Sequence, residues 1–270
     1  GRSPELAITS ANSLYQGHAM KLLHAVAICA LLISAPSHAG SAARAKKAVA
    51  AAISDPARPA DDVKRDDARK PADILEFAQV KPRDKVIDFI MGGGYFSRLL
   101  ARTVGPKGKV FAYQPAEFIS FRAQYGVDQK TVADAYPNVA PLTGPLGTLA
   151  FPEAVDLIFT AQNYHDLHLA AFPAGLADKV DAALFNALKR GGVLLVIDHA
   201  AAAGSGTRDS NALHRIDPAT VRAELEKAGF RFEGESSLLR NADDPHTALV
   251  FDPAIRGKTD QFIYRFRKPR

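Results

Sequence analysis

Two stretches of this 270-residue chain gather side chains able to do chemistry. The first is Gln162-Asn163-Tyr164-His165-Asp166-Leu167-His168, which sets amides, a phenol, two imidazoles and a carboxylate side by side. Imidazole titrates near neutrality, so His165 is the expected general base, with Asp166 to orient a histidine and Asn163 and Tyr164 to position a bound group. Two other readings of these residues stand beside that one. Asp166 can cap the next helix with the histidines packed against it. His165 and His168, at i and i+3, can also share a metal with His199, which follows Asp198; the base and capping readings need no metal, and none is expected. His214 and His246 fall in loops and enter none of these readings.

The second stretch is Gly92-Gly93-Gly94-Tyr95-Phe96-Ser97, directly after the apolar run 85–90. A strand, a glycine turn and a helix set backbone N–H groups and a positive helix end beside the strand's carboxyl edge, where open α/β sheets bind ligands. No Gly-Lys-Ser/Thr follows, so this is not a P-loop. Ser97 holds the third glycine position of the dinucleotide fingerprint. The next strand ends in Tyr113-Gln114, with Glu117 three residues on, where that fingerprint would place a ribose-binding acid.

The elements that must position these groups alternate. Short apolar strands are predicted at 85–90, 110–113, 155–160 and 193–198. Helices are predicted at 72–79 behind Pro71, at 95–104 before Gly105, at 177–189 before Gly191-Gly192, and at 218–228 behind an Asp217 cap. Residues 230–238 and 261–267 alternate as strands, the last expected at a solvated edge together with the basic end Arg265, Arg267, Lys268 and Arg270. Strands alternating with helices imply an α/β doubly wound, mostly parallel sheet.

As a set, these stretches resemble the class I S-adenosylmethionine-dependent methyltransferases. The resemblance rests on residues 86–94, Ala112-Tyr113-Gln114, residues 155–159 and Leu188-Lys189-Arg190-Gly191-Gly192-Val193-Leu194. Arg69-Lys70-Pro71, residues 162–168 and residues 252–260 are similar to a group of bacterial methyltransferase-like proteins that often carry signal peptides. Over about 60–270, the resemblance implies a Rossmann-like seven-stranded sheet with the last strand antiparallel, and S-adenosyl-L-methionine as cofactor. It places Asp88, Gly92, Gly93, Gly94, Tyr95 and Gln114 at that cofactor and turns the 160–168 loop toward the transferable methyl group. Ile90 stands where the family's turn begins with glycine, and Gln114 where an acid holds the ribose hydroxyls.

The alternating pattern starts late in the chain. Residues 20–39 read as a signal peptide: Met20-Lys21, an apolar run over 22–34 that is too short to span a bilayer, and Ser37-x-Ala39. That leaves 1–19 as an upstream extension, 40–70 as an N-terminal arm whose charged part, 61–70, reads as a solvated helical face, and 71–270 as the methyltransferase-like domain. The leader predicts a periplasmic or secreted protein. Cys29 is the one cysteine, which excludes intrachain disulfides and cysteine-based metal clusters. A formal net charge of +5 is too mild and too spread out to call for nucleic acid. The reading is therefore a methyltransferase acting on a small-molecule acceptor. An exported, non-catalytic binding protein on the same scaffold is the alternative, and a nicotinamide-dependent oxidoreductase is a weaker third.

Overall fold

The computed structural model describes residues 38–270. The expected extension 1–19 and leader 20–39 lie outside the described residues, except that 38 and 39 already belong to the first helix. Ten helices are described: α1 (His38–Ile53), α2 (Ala60–Val63), α3 (Asp66–Arg69), α4 (Pro71–Phe77), α5 (Tyr95–Val104), α6 (Ala116–Phe121), α7 (Gln124–Ala135), α8 (Leu176–Ala187), α9 (Ser210–Leu213) and α10 (Pro218–Lys227). Seven strands form one sheet: β1 (Lys85–Phe89), β2 (Lys109–Pro115), β3 (Val139–Gly144), β4 (Val155–Ala161), β5 (Leu188–His199), β6 (Arg231–Ser236) and β7 (Gln261–Arg267). Their order is β3-β2-β1-β4-β5-β7-β6, with β7 antiparallel to both neighbours.

Local chemistry explains the central elements. In β1, Val86 and Phe89 pack on different faces of the sheet, and both are buried, as expected of a parallel strand covered on both sides. Phe96, Leu99, Leu100 and Val104 bury one face of α5, and Gly105, at φ +69°, ends it. Asp217 Oδ1 accepts from the Ala219 N–H at 3.0 Å, and Pro218 opens α10.

Three expectations are corrected. β7 is not an edge strand: it lies between β5 and β6, with Phe262, Ile263 and Phe266 buried, so β6 forms the edge. Its arginines are not merely solvated, because Arg265 Nε pairs with Glu233 at 2.8 Å and Arg267 reaches the same carboxylate. Nor is 61–70 only a solvated face: most of it is exposed, but Asp62 is buried and accepts from Arg98 Nη1 at 2.8 Å, while Asp66 binds both terminal nitrogens of buried Arg58 at 2.8 and 2.6 Å. α1 packs against α5 and α4, with Val49 and Ala52 buried in the same core.

Candidate active site

The glycine turn follows β1 at the carboxyl edge of the sheet. Gly92 and Gly94 have φ of +56° and +82°, the left-handed region that glycine enters freely. A Cβ on Gly92 would meet nothing within 4 Å, whereas one on Gly94 would meet Val132 Cγ2 at 2.5 Å. Gly92 thus opens onto space, and Gly94 allows close packing of α7. Ile90, at φ +59°, occupies a conformation that β-branched residues avoid. Its carbonyl accepts from Asn163 Nδ2 at 2.8 Å, which ties the β1 turn to the loop leaving β4.

Around the turn lies a cleft of about 220 Å³. Its walls include Asp88, Gly92, Gly93, Tyr95, Asn163 and Asp166, so six of the expected site residues share one cavity. Burial pushes the Asp88 carboxyl up to about 7, although Ser97 Oγ donates to it. Gln114 lies behind the turn rather than in the cleft wall. Its Oε1 accepts from the Gly92 N–H at 3.1 Å, and its buried Nε2 finds no partner among the described residues. Glu117 is occupied elsewhere, accepting from the Leu146 N–H at 3.0 Å.

The loop after β4 divides its side chains between two sides. Tyr164 points away from the cleft: it is 1% exposed, and its hydroxyl lies between Asp181 Oδ2 at 2.8 Å and Glu224 Oε2 at 2.9 Å, with its single proton donated to one of the two. It is therefore an anchor to α8 and α10, not an acceptor-positioning phenol. Asn163 spends its amide on the Ile90 and Ala161 carbonyls and accepts from Thr160 Oγ1. His168 Nε2 meets Glu224 at 3.0 Å on the Tyr164 side.

His165 is buried, with Nδ1 2.8 Å from Asp198 Oδ1 and Nε2 3.2 Å from Asp166 Oδ1 and 3.1 Å from His214 Nδ1. Burial alone would lower its basicity, but Asp198 and Asp166 outweigh that and raise it to about 10. A group charged at neutral pH, with both nitrogens engaged, departs from the general base expected of it. Asp166 comes close to the far side of the ring, while the hydrogen bond at Nδ1 is made by Asp198. The histidine trio of the alternative metal reading is not assembled: His168 faces Glu224, and His199 bonds Thr259 Oγ1 at 2.7 Å while burial lowers its imidazole to about 4. His214, which the sequence left without a role, is the histidine that meets His165.

Sequence reasoning also missed the N-terminal wall. Arg69 lies in the cleft, with its guanidinium 4.6 Å from the Tyr95 ring centroid and Nη2 2.9 Å from Gln162 Oε1. Burial lowers its guanidinium to about 10, so it stays a cation at neutral pH. Tyr95 turns its hydroxyl to Asp66 Oδ1 at 2.6 Å, which fixes α3 against the turn. Phe118 and Tyr125, with ring centroids 6.1 Å apart, give the cleft an aromatic side. A larger depression of about 640 Å³ beside Arg102, Gly108 and Tyr136 lies away from all of these groups.

No protein-family model matches the chain. A protein-L-isoaspartate O-methyltransferase of Ignicoccus hospitalis is 29% identical over 123 residues, which cover 46% of this chain and 51% of the relative. The match thus spans about half the length of that curated relative. A SAM-dependent methyltransferase of Aquifex aeolicus superposes with a TM-score of 0.51 at 22% identity, covering 84% of this chain and 98% of the other. The N-methyltransferase NodS of Bradyrhizobium japonicum WM9 gives 0.51 at 12% identity, covering 77% and 97%. Together with the strand order and the antiparallel β7, these likenesses show that the chain has the Rossmann-like fold of the class I SAM-dependent methyltransferases.

Proposed function

We propose that this chain transfers a methyl group from S-adenosyl-L-methionine to a small-molecule acceptor. The observation that carries this reading is the 220 Å³ cleft, which joins the open face of Gly92 to the cationic Arg69 at the carboxyl edge of β1. The residues present fit the cofactor. A cation in the wall suits the methionine carboxylate. Gln114, behind the turn, accepts from the Gly92 N–H and so supports the turn rather than touching the ligand. Phe118 and Tyr125 offer rings for a base to stack on.

When bound, the cofactor supplies a sulfonium methyl for in-line displacement, a reaction in which alignment does most of the work. In this chain, Asn163 and the Ile90 carbonyl hold the floor of the cleft rigid, while Asp198 holds the His165 ring in one orientation. A carboxylate acceptor is a second reading. It is already ionised at neutral pH, so it needs no base in a cleft where both His165 nitrogens are engaged. The curated relative, named for O-methylation of isoaspartate, supports it.

The leader expected over 20–39 supports export, with 40–70 and 71–270 working together outside the cytoplasm. Among the described residues, no helix is long and apolar enough to cross a membrane. The test is incubation with methyl-tritiated S-adenosylmethionine and a Gram-negative envelope extract separated into small-molecule and protein fractions. Label in the small-molecule fraction is the expected result. Label confined to protein would overturn the small-molecule acceptor. Binding without transfer to either fraction would leave the non-catalytic binding protein.

A further inference from the structure

We propose that His165, Asp166 and His214 form a binding site for one divalent transition-metal ion of the zinc class at the rim of the cleft. The three candidate ligand atoms, His165 Nε2, Asp166 Oδ1 and His214 Nδ1, all lie within 4.8 Å of one another. Their separations are 3.1 Å between the two nitrogens, 3.2 Å from His165 to Asp166 and 3.7 Å from His214 to Asp166. Zinc bound at 2.0–2.1 Å in a tetrahedron sets neighbouring N and O ligands about 3.3 Å apart, so one ion can reach all three with small adjustments. Two imidazoles and a carboxylate are the ligand types that such an ion takes when a fourth position is left for water or substrate.

The outer partners match as well. Asp198 is fully buried and grips His165 twice, accepting from its backbone N–H at 2.7 Å and sitting 2.8 Å from Nδ1. A carboxylate behind one imidazole nitrogen fixes the ring, and a metal bound at the other nitrogen displaces the proton held there into solvent. His214 is held in a left-handed conformation at φ +54°, which costs free energy for any residue but glycine and so marks a constrained position. Its neighbour Arg215 is buried and clamps that turn, with Nη1 on Asp244 at 2.8 Å and on the Ala200 carbonyl at 3.0 Å. The ligands therefore come from two separately anchored loops, one after β4 and one after α9. Because Asp166 also lines the cleft, the site adjoins it, and a fourth position open on that side would take an oxygen ligand.

The test uses the full chain, stripped of metal with a chelator and then titrated with Co²⁺ as a visible-absorbing probe in competition with Zn²⁺; neither step involves the methyl donor. One equivalent of Co²⁺ with the intense visible band of a four-coordinate ion, displaced by Zn²⁺, is the expected result. His214→Ala, a part-exposed position whose loss leaves the core intact, should weaken Co²⁺ binding about a hundredfold or more. Asp198→Asn should weaken it about 10- to 100-fold, the usual effect of a partner behind the ligand. His246→Ala, which removes an imidazole paired with Asp260 and not one of the three ligands, should bind like the parent. Absence of the band, or the same Co²⁺ affinity in His214→Ala as in the parent, would overturn the site.

Discussion

Arg69 brings a guanidinium to the cleft wall and spends one nitrogen on the Gln162 amide oxygen, leaving its remaining donors for an anion. A hydrogen bond between charged groups contributes about 1.5–3 kcal/mol, so Arg69→Ala should weaken S-adenosylhomocysteine binding roughly 10- to 150-fold with little change in melting temperature; unchanged affinity in a calorimetric titration would remove Arg69 from the site. Tyr164 behaves differently, since its hydroxyl bridges Asp181 and Glu224 well away from the cleft. Tyr164→Phe should cost about 1–3 kcal/mol of stability while cofactor affinity stays within a few fold. Burial pushes Asp181 up to about 8, against a donated Tyr164 bond and with Glu224 adding to the rise. Between about pH 4 and 8, the folded protein thus keeps a proton that the unfolded chain has released, and stability falls as pH rises through that window. Asp181→Asn removes this dependence, so its stability advantage over the parent in urea denaturation should be larger at pH 8 than at pH 5.5; parallel behaviour would contradict the buried neutral carboxyl. The adjacency of His165 and Asp166 was legible in the sequence. The inward turn of Tyr164 was not, because the 3-10 helix that begins at His165 sets the Tyr164 ring in the core while Asn163 and Asp166 face the cleft. Arg69 was hidden inside a run of charges whose partners, Arg98 and Tyr95, lie well beyond it in sequence.

At the scale of elements, the strand–turn–helix unit around Gly92 was legible in full. Apolar periodicity and glycine stops are local signals, and α5 occupies the span that its spacing predicts. The order of the last strands was not legible, because inserting β7 between β5 and β6 is a long-range pairing and the basic residues of β7 masked its buried Phe262, Ile263 and Phe266. β3 also escaped notice: with Pro141 and alternating exposure on an edge of the sheet, it lacks the continuous apolar run of the central strands. The glycine turn separates two roles that the sequence left merged. Gly94→Val forces a branched side chain into left-handed backbone and against Val132, so it should cost more than about 2 kcal/mol of stability, visible in thermal melts. Gly92→Ala carries only the backbone cost of about 1 kcal/mol. Its new methyl group enters the cleft, so the folded variant should lose S-adenosylhomocysteine affinity by about tenfold or more. Equal melting temperatures for the two variants would contradict this division.

For the whole molecule, the N-terminal helices from α1 to α3 are part of the fold and of the cleft. α1 contributes Val49 and Ala52 to the core, Arg58 locks onto Asp66, and Asp66 holds the Tyr95 hydroxyl under Arg69. A chain beginning at residue 71 should therefore lose about 3 kcal/mol or more of stability and bind no cofactor; a truncated protein that melts and binds like the parent would contradict that assignment. The same interlocking makes the cleft a property of the assembled sheet edge: the β1 turn, the β4 loop and α3 each supply one wall. Whether this cleft holds the methyl donor is read most simply by a calorimetric titration of S-adenosylhomocysteine into the intact, folded chain. One equivalent bound with a dissociation constant in the micromolar range or tighter, unaffected by competing nicotinamide dinucleotide, is the predicted result. A folded protein that takes up no S-adenosylhomocysteine at millimolar concentration would contradict the cofactor site.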